Sequence, residues 1–339
     1  MIQHHSAIGT AAWTDLLRML KDSGVSELRG APKLKAIGKK KYWYDQYRLG
    51  TKVVDRYIGE DTPDLRERLE RHHEIAQAMK ANEQQRARLM RVLRAENYLM
   101  SDARTGQAVS AMARAGVFRL GGTLVGTQAF RLYEGELGAR IGLDQSAVTD
   151  DIDIASFERL SIVLGDSVDQ SLATVFSQLS FEPMPSLEPG KVWRWRQTYR
   201  TTLVEFLTPS FGDDEGIRDL PALGVSAQSL HFLNFLIAEP IQAPLLYRAG
   251  VLVQIPRPER FAIHKLIVAD RRREGPDALK ARKDRAQAAF LIDVLSEERP
   301  DDLAEAYTLA LANGPAWRTR LSATIDRMPR VADRLSRLG

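Results

Sequence analysis

The chain has 339 residues, 44% of them hydrophobic and 27% charged, with a formal net charge of +4 and no cysteine. Such a length allows two or three domains with sizeable cores, and the lack of cysteine excludes a disulfide framework and any thiolate metal site. No apolar run approaches the roughly 20 residues of a membrane span, and the opening MIQHHSAIGTAAWTDLL has no basic stretch ahead of an apolar one. Neither a membrane segment nor a signal peptide is therefore expected, and a cytoplasmic location is the simplest reading.

Residues 11–24 predict a short helix with Trp13, Leu16, Leu17 and Leu20 on one face and Gly24 as its stop. The charge is uneven: from Arg29 to Arg56 nine Lys or Arg stand against Asp45 and Asp55. Aromatic and β-branched residues flank Leu49-Gly50-Thr51, the pattern of a β-hairpin. Its Lys40, Lys41, Tyr42, Tyr44 and Arg48 set bases beside aromatics, which suits single-stranded nucleic acid. Alternate aromatics on a hairpin's buried face would give the same pattern. Thr62 and Pro63 look like an N-cap and first helical residue, opening a long polar helix to about Asn97.

A helix over 98–114 is expected next, then a short strand at Val117–Leu120, ended by Gly121-Gly122-Thr123 where a second helix begins. Tyr133 to Val148 reads as an irregular loop, 151–155 as a strand and 167–179 as a helix. Residues 192–200 and 201–207 read as a hairpin in the same sheet, 209–221 as a loop, and 229–238, 243–247 and 250–255 as short strands. Beyond Glu259 the chain reads as helical, broken near Gly275-Pro276, Arg299-Pro300 and Gly314-Pro315. The expected divisions are residues 1–97, with a helix, a basic hairpin and a long helix; 98–258, a mixed sheet flanked by helices; and 259–339, helical. The fold class is α+β.

Three signals carry chemistry. Alternation along a strand puts Asp151 and Asp153 on one face and Ile152 and Ile154 on the other. Two adjacent carboxylates repel unless something positive lies between them, and Mg²⁺ is held by one or two carboxylates together with substrate phosphates. At a strand-to-helix turn, Gly121 and Gly122 would let backbone N–H groups approach a phosphate, with the Thr123 hydroxyl as a further donor. Glu205, inside an apolar strand, is costly without a partner. Beside the Asp151 strand it would complete three carboxylates able to hold two metals. Each signal alone also fits a plain turn, a solvated sheet edge or a surface glutamate; their order along the chain is more specific.

That order resembles the DNA polymerase β nucleotidyltransferase superfamily, whose pattern is a Gly-Gly or Gly-Ser turn, an acidic pair split by one apolar residue, and a later acidic strand. More closely, residues from about 98 to 295 resemble a bacterial family of nucleotidyltransferase-fold proteins. The matching runs are Phe118–Thr127 (FRLGGTLVGT), Asp150–Ala155 (DDIDIA), Glu205–Pro209 (EFLTP) and Arg260–Val268 (RFAIHKLIV), with Tyr42-Trp43-Tyr44 and Arg56–Gly59 (RYIG) upstream. The chain departs from the superfamily in a longer gap between Gly122 and Asp151 and in a Glu as third carboxylate.

The resemblance implies a metal-dependent nucleotidyltransferase. Asp151, Asp153 and Glu205 would be catalytic and would bind Mg²⁺ or Mn²⁺, with Gly121, Gly122 and Thr123 on the phosphates of an NTP. His264-Lys265-Leu266 resembles a Lys-Leu pattern in abortive-infection nucleotidyltransferase toxins. By that likeness Lys265 and Arg272 would meet the triphosphate, with Lys283-Asp284 as the basic-Asp pair of a later helix and an antitoxin as a partner. The acceptor hydroxyl would belong to an RNA 3′ end, a protein or a small molecule, ordered so by the basic N-terminal region alone. The alternative is a catalytically inactive nucleotide- or nucleic-acid-binding module.

Overall fold

A computed structural model describes residues 2–26, 28, 30–49, 52–142, 151–274 and 278–338. Helix α1 (Ala7–Ser26) turns Ala12, Trp13, Leu16, Met19 and Leu20 into the core, the i, i+3, i+4 rhythm of one helical face. An antiparallel three-stranded sheet follows: β1 (Ala31–Ile37), β2 (Lys40–Leu49) and β3 (Lys52–Glu60). The hairpin reading accounts for β2 and β3 and misses β1, whose exposed Lys-rich sequence gives no strand signal. The turn at Gly50-Thr51 lies outside the described residues.

The polar helix expected to run unbroken to Asn97 is two helices, α2 (Pro63–Glu70) and α3 (His72–Ala95), parted at Arg71. Thr62 caps α2 as expected, its hydroxyl accepting from Leu65 N at 3.2 Å. Helix α4 (Ala103–Ala115) starts five residues later than the expected 98, because the Asp102 carboxylate accepts from the N–H groups of Arg104 and Thr105 and sets the cap there.

The expected strand at Val117–Leu120 is a turn. Gly116, with φ +95°, ends α4 in the left-handed region, and the N–H groups of Val117, Leu120, Gly121 and Gly122 are all spent on carbonyls within five residues. The strand comes after the glycine pair, as β4 (Thr123–Val125), and α5 (Gly126–Glu136) begins directly from it. Residues 143–150, which hold much of the expected loop, lie outside the described residues; Tyr133–Glu136 are the last turn of α5.

The chain continues through β5 (Asp151–Ala155), α6 (Glu158–Val163), α7 (Leu172–Gln178), β6 (Phe181–Pro183), β7 (Arg194–Gln197), β8 (Leu203–Pro209), β9 (Ile217–Leu220) and β10 (Val225–Leu230). The β7–β8 hairpin is as expected, while β9 lies in the stretch expected as loop. Residues 233–236 form a helical turn, α8 (Leu233–Leu236), instead of strand. After the β11 (Ile241–Leu245) and β12 (Val251–Ile255) ribbon come α9 (Pro258–Arg271), α10 (Ala278–Glu298), α11 (Pro300–Ala312), α12 (Pro315–Ile325) and α13 (Pro329–Ser336), each of the last three with proline in its first turn.

The main sheet runs β4-β5-β8-β10-β9, with β7 also on β8 and β6 on β7. β5 and β8 are parallel, and so are β8 and β10; the other pairs are antiparallel. One sheet face is apolar: Ile152, Ile154, Val204 and Phe206 are fully buried, and Trp195 joins them against Phe206 and Phe176. Among the described residues no helix is long and apolar enough to cross a membrane.

The N-terminal sheet is built into the same core. Tyr42, Tyr44 and Tyr57 are buried and packed ring on ring, and the Tyr44 hydroxyl donates to Leu164 O. Asp166 accepts from Tyr57 N and pairs with Arg119, while Arg56 meets Asp169 at 3.1 Å. Removing residues 1–60 takes α1 and these tyrosines out of the core. The shortened chain should lose soluble yield and most of its cooperative thermal transition; an unchanged transition would show that the N-terminal region folds apart from the rest.

Candidate active site

The site is built on the sheet face opposite the core. Parallel register sets Asp153 beside Glu205 and Asp151 beside Leu203, and alternation brings Asp151, Asp153 and Glu205 out on the same side. Each keeps partial exposure. The crowding is visible in their proton affinity. Burial, then Glu205, then Asp151 push the Asp153 carboxyl up to about 7, against the pull of Lys265 and Arg272. Burial and Asp151 likewise raise Glu205, opposed by Arg194 and Lys280.

Antiparallel pairing of β4 with β5 brings Val125 opposite Asp153, so the turn from β4 into α5 lies at the carboxylates. Gly126 opens α5 with φ +64°, and a Cβ there would overlap the Asp153 carboxylate. Among the described residues, the N-cap of α5 is Val125, which has no side chain able to cap it. The first N–H groups of a helix have no intrahelical partner and carry its positive dipole end. Thr127, the next residue, is buried, and its hydroxyl accepts from Lys283 Nζ at 3.1 Å. Burial and then Lys265 lower the Lys283 ammonium, with Asp151 working the other way.

Behind this lies a buried ionic cluster. Asp284, with 0% exposure, accepts from Lys265 Nζ at 2.5 Å and from Arg272 Nη1 at 2.9 Å. Burial works to raise Asp284, yet Lys265 and Arg272 outweigh it and hold the carboxyl below its usual range. His264 is buried next to them and pushed down to about 3, by burial first and Lys265 second, which keeps it neutral.

The three carboxylates expected as catalytic are thus on one face of adjacent strands. Lys265 and Arg272 are joined through Asp284, close enough for their fields to reach Asp153. Gly121, Gly122 and Thr123 lie at the far end of β4, where Thr123 pairs with Ala155, two residues from Asp153. A Cβ on Gly121 would strike Leu160 and one on Gly122 would strike Val117, while the buried Thr123 hydroxyl is turned to Gly121 O. The strand-to-helix turn expected at Gly121-Gly122 is therefore at Gly126-Thr127. The apolar Leu124-Val125 just ahead of Gly126, with a helical pattern behind it, was the available signal.

The hairpin residues stand on the separate β1–β3 sheet. Tyr42 and Tyr44 are buried and expose no stacking face; the alternating aromatics form the inner face of the sheet. Lys40 meets Glu60 at 2.9 Å and Lys41 is exposed. Arg48 belongs to β2, opposite Val53.

The donor set suits a hard cation: carboxylate oxygens, with negative charge in excess at Asp153. Among the described residues no group of three or more His, Asp or Glu is drawn together as a formed metal cluster.

A nucleotidyltransferase family model matches residues 103–312, well over half of the chain and across the expected division at 258–259. Residues 13–67 match a domain of unknown function (DUF6788). No curated protein and no solved structure matches the chain.

Two predictions follow from this geometry. The Asp153 carboxyl is raised from 3.8 to about 7, so in that window the folded chain binds a proton that the unfolded chain does not. Stability of the metal-free protein should fall as pH rises from about 4 to about 7 and level off above, and Asp153→Asn should flatten that part of the Tm–pH curve. An unchanged curve in the variant would remove Asp153 as the cause. Secondly, Gly121→Ala and Gly126→Ala both force alanine into the left-handed region, at a cost of about 1–2 kcal/mol each. Gly126→Ala alone should also weaken NTP binding, measured by calorimetry; equal weakening in both would return the phosphate turn to Gly121.

Proposed function

Because the chain belongs to a nucleotidyltransferase family, we propose that it moves a nucleoside monophosphate from an NTP to a hydroxyl acceptor at the face carrying Asp151, Asp153 and Glu205. One observation carries this reading: the in-register pairing of Asp153 with Glu205, directly in front of the start of α5. In the transfer the acceptor oxygen forms a bond to the α-phosphorus, the bond from that phosphorus to the β-phosphate bridge breaks, and pyrophosphate leaves with the electron pair. The hydroxyl proton passes to a carboxylate or to water.

The chain's own groups divide the work. The N–H groups opening α5 and the Lys283 ammonium hold the triphosphate, with the Thr127 hydroxyl orienting Lys283. Lys265 and Arg272, held by Asp284, add fixed positive potential from behind without turning to the ligand. Asp151, Asp153 and Glu205 are the residues that would hold Mg²⁺ or Mn²⁺. Bound there, such an ion supplies Lewis-acid activation of the hydroxyl and charge relief for the departing pyrophosphate. A toxin role with an antitoxin partner is supported by Lys265, Arg272 and the Lys283-Asp284 pair, the residues behind the likeness to abortive-infection enzymes.

A second reading is a nucleotide- or nucleic-acid-binding module without catalysis. The two separate in one experiment: the full chain incubated with α-labelled NTPs, Mg²⁺ or Mn²⁺ and total RNA. Transfer of label is expected, and Asp151→Asn should reduce it on the order of 10²-fold or more, with an equal or higher Tm because a repulsion is relieved. Tight nucleotide binding without transfer supports the module, and full activity in Asp151→Asn removes the assigned site.

A further inference from the structure

The carboxylate face does not end at Glu205. On its far side β7 pairs with β8, setting Arg194 opposite Glu205 and Arg196 opposite Leu203. Trp195, between them, goes into the core, so both arginines emerge on the carboxylate side. Arg194 stacks on Trp193, 4.8 Å from guanidinium carbon to ring centroid, and its buried Nε has no hydrogen-bond partner. Among the described residues neither arginine makes an ion pair within 4 Å. Glu182, the cross-strand neighbour of Arg196, is the nearest acid on that edge by register. Opposite, α10 carries Lys280 three residues before Lys283, on the same helical face; Lys280 acts on Glu205, Lys283 on Asp151. Positive charge therefore flanks the acidic centre twice. One group, at Gly126, Thr127 and Lys283, lies on the β4 side, and the other, at Arg194 and Arg196, on the β7 side.

We propose that Arg194 and Arg196 form the acceptor track: they hold the backbone phosphates of a single-stranded nucleic acid whose terminal hydroxyl reaches the carboxylates beside Glu205. The inference rests on the nucleotidyl-transfer reading and names its acceptor. One basic group takes the triphosphate, and the second is a strand spacing, about 4.8 Å, beyond the reacting centre. A protein side-chain hydroxyl brings no phosphate to meet planar guanidinium forks. Two such forks about 7 Å apart along β7 suit a run of phosphates better than one. The nucleic-acid contact expected at the N-terminal hairpin moves here, since Tyr42 and Tyr44 are buried.

The test uses the full chain and a 5′-fluorescent single-stranded oligoribonucleotide of roughly 12 nucleotides, followed by anisotropy across a salt series, with a non-hydrolysable NTP analogue titrated in parallel. Arg194→Gln with Arg196→Gln should weaken oligonucleotide binding about 10-fold and lower the salt slope by about 1–2, leaving analogue affinity within about 2-fold. Lys283→Gln should do the reverse. Arg196→Gln alone, at an exposed position, should give about a third of the 10-fold effect and a slope change near 1, so the proposal stays testable should the double variant misfold. Oligonucleotide binding unchanged in the variants, or equal loss of oligonucleotide and analogue, overturns the track, as does a protein acceptor labelled equally by variant and parent. A parent chain that binds the oligonucleotide but no NTP analogue sinks the nucleotidyl-transfer reading instead.

Discussion

Pairing β5 with β8 in parallel register sets two carboxylates side by side, with a third two residues along the strand, and no chain gathers like charges without support from elsewhere. The support is apolar below and cationic above. Below, Ile152, Ile154, Val204 and Phe206 are fully buried, so a slip of one residue would send the acids into the core and the apolar residues to the surface. The hydrophobic face thus holds in place an electrostatic arrangement that is unfavourable in itself. The rise of Asp153 to about 7 comes first from burial and then from repulsion by Glu205 and Asp151, which the neighbouring cations offset only in part.

Those cations are positioned from within. Asp284 has no exposure, and a lone buried carboxylate would be very costly. Lys265 from α9 and Arg272 at the end of the same helix complete it, which ties α9 to α10. That union brings Lys283 to Thr127 at the start of α5 and Lys280 towards Glu205. Helices α9 and α10 therefore stand at the carboxylate face of the sheet. The family match, which runs on through α10 and α11 to residue 312, spans the same elements.

The N-terminal sheet shows how one composition can fit two arrangements. Bases interleaved with aromatics suit a nucleic-acid surface and a half-buried sheet equally well, and the pattern alone does not separate them. Burial separates them here: Tyr42, Tyr44 and Tyr57 pack on one another and on the Leu164–Asp166 stretch, while Lys35 and Lys40 pair with Asp55 and Glu60. Arg194 and Arg196, which make no ion pair within 4 Å among the described residues, stand on the strand next to Glu205, in a short stretch whose alternating Trp and Arg read in sequence only as a strand.

Several features were legible in the chain because they are local. The α+β class, the shared face of Asp151 and Asp153, the Thr62 cap and the β7–β8 hairpin depend on periods and spacings within a few residues. The third carboxylate was legible as an oddity, an acid in an apolar strand; its register with Asp153 was not, since strand pairing is set by contacts some fifty residues apart. The strand-to-helix turn falls five residues later than the sequence suggests, because two glycine-containing runs, Leu120–Thr123 and Val125–Thr127, have the same local pattern. Only the hydrogen bonding that folds the first into a turn leaves the second to face Asp153. Sequence determined which groups could carry the chemistry; the tertiary fold decided which of them meet, because burial, register and helix packing are properties of the whole chain.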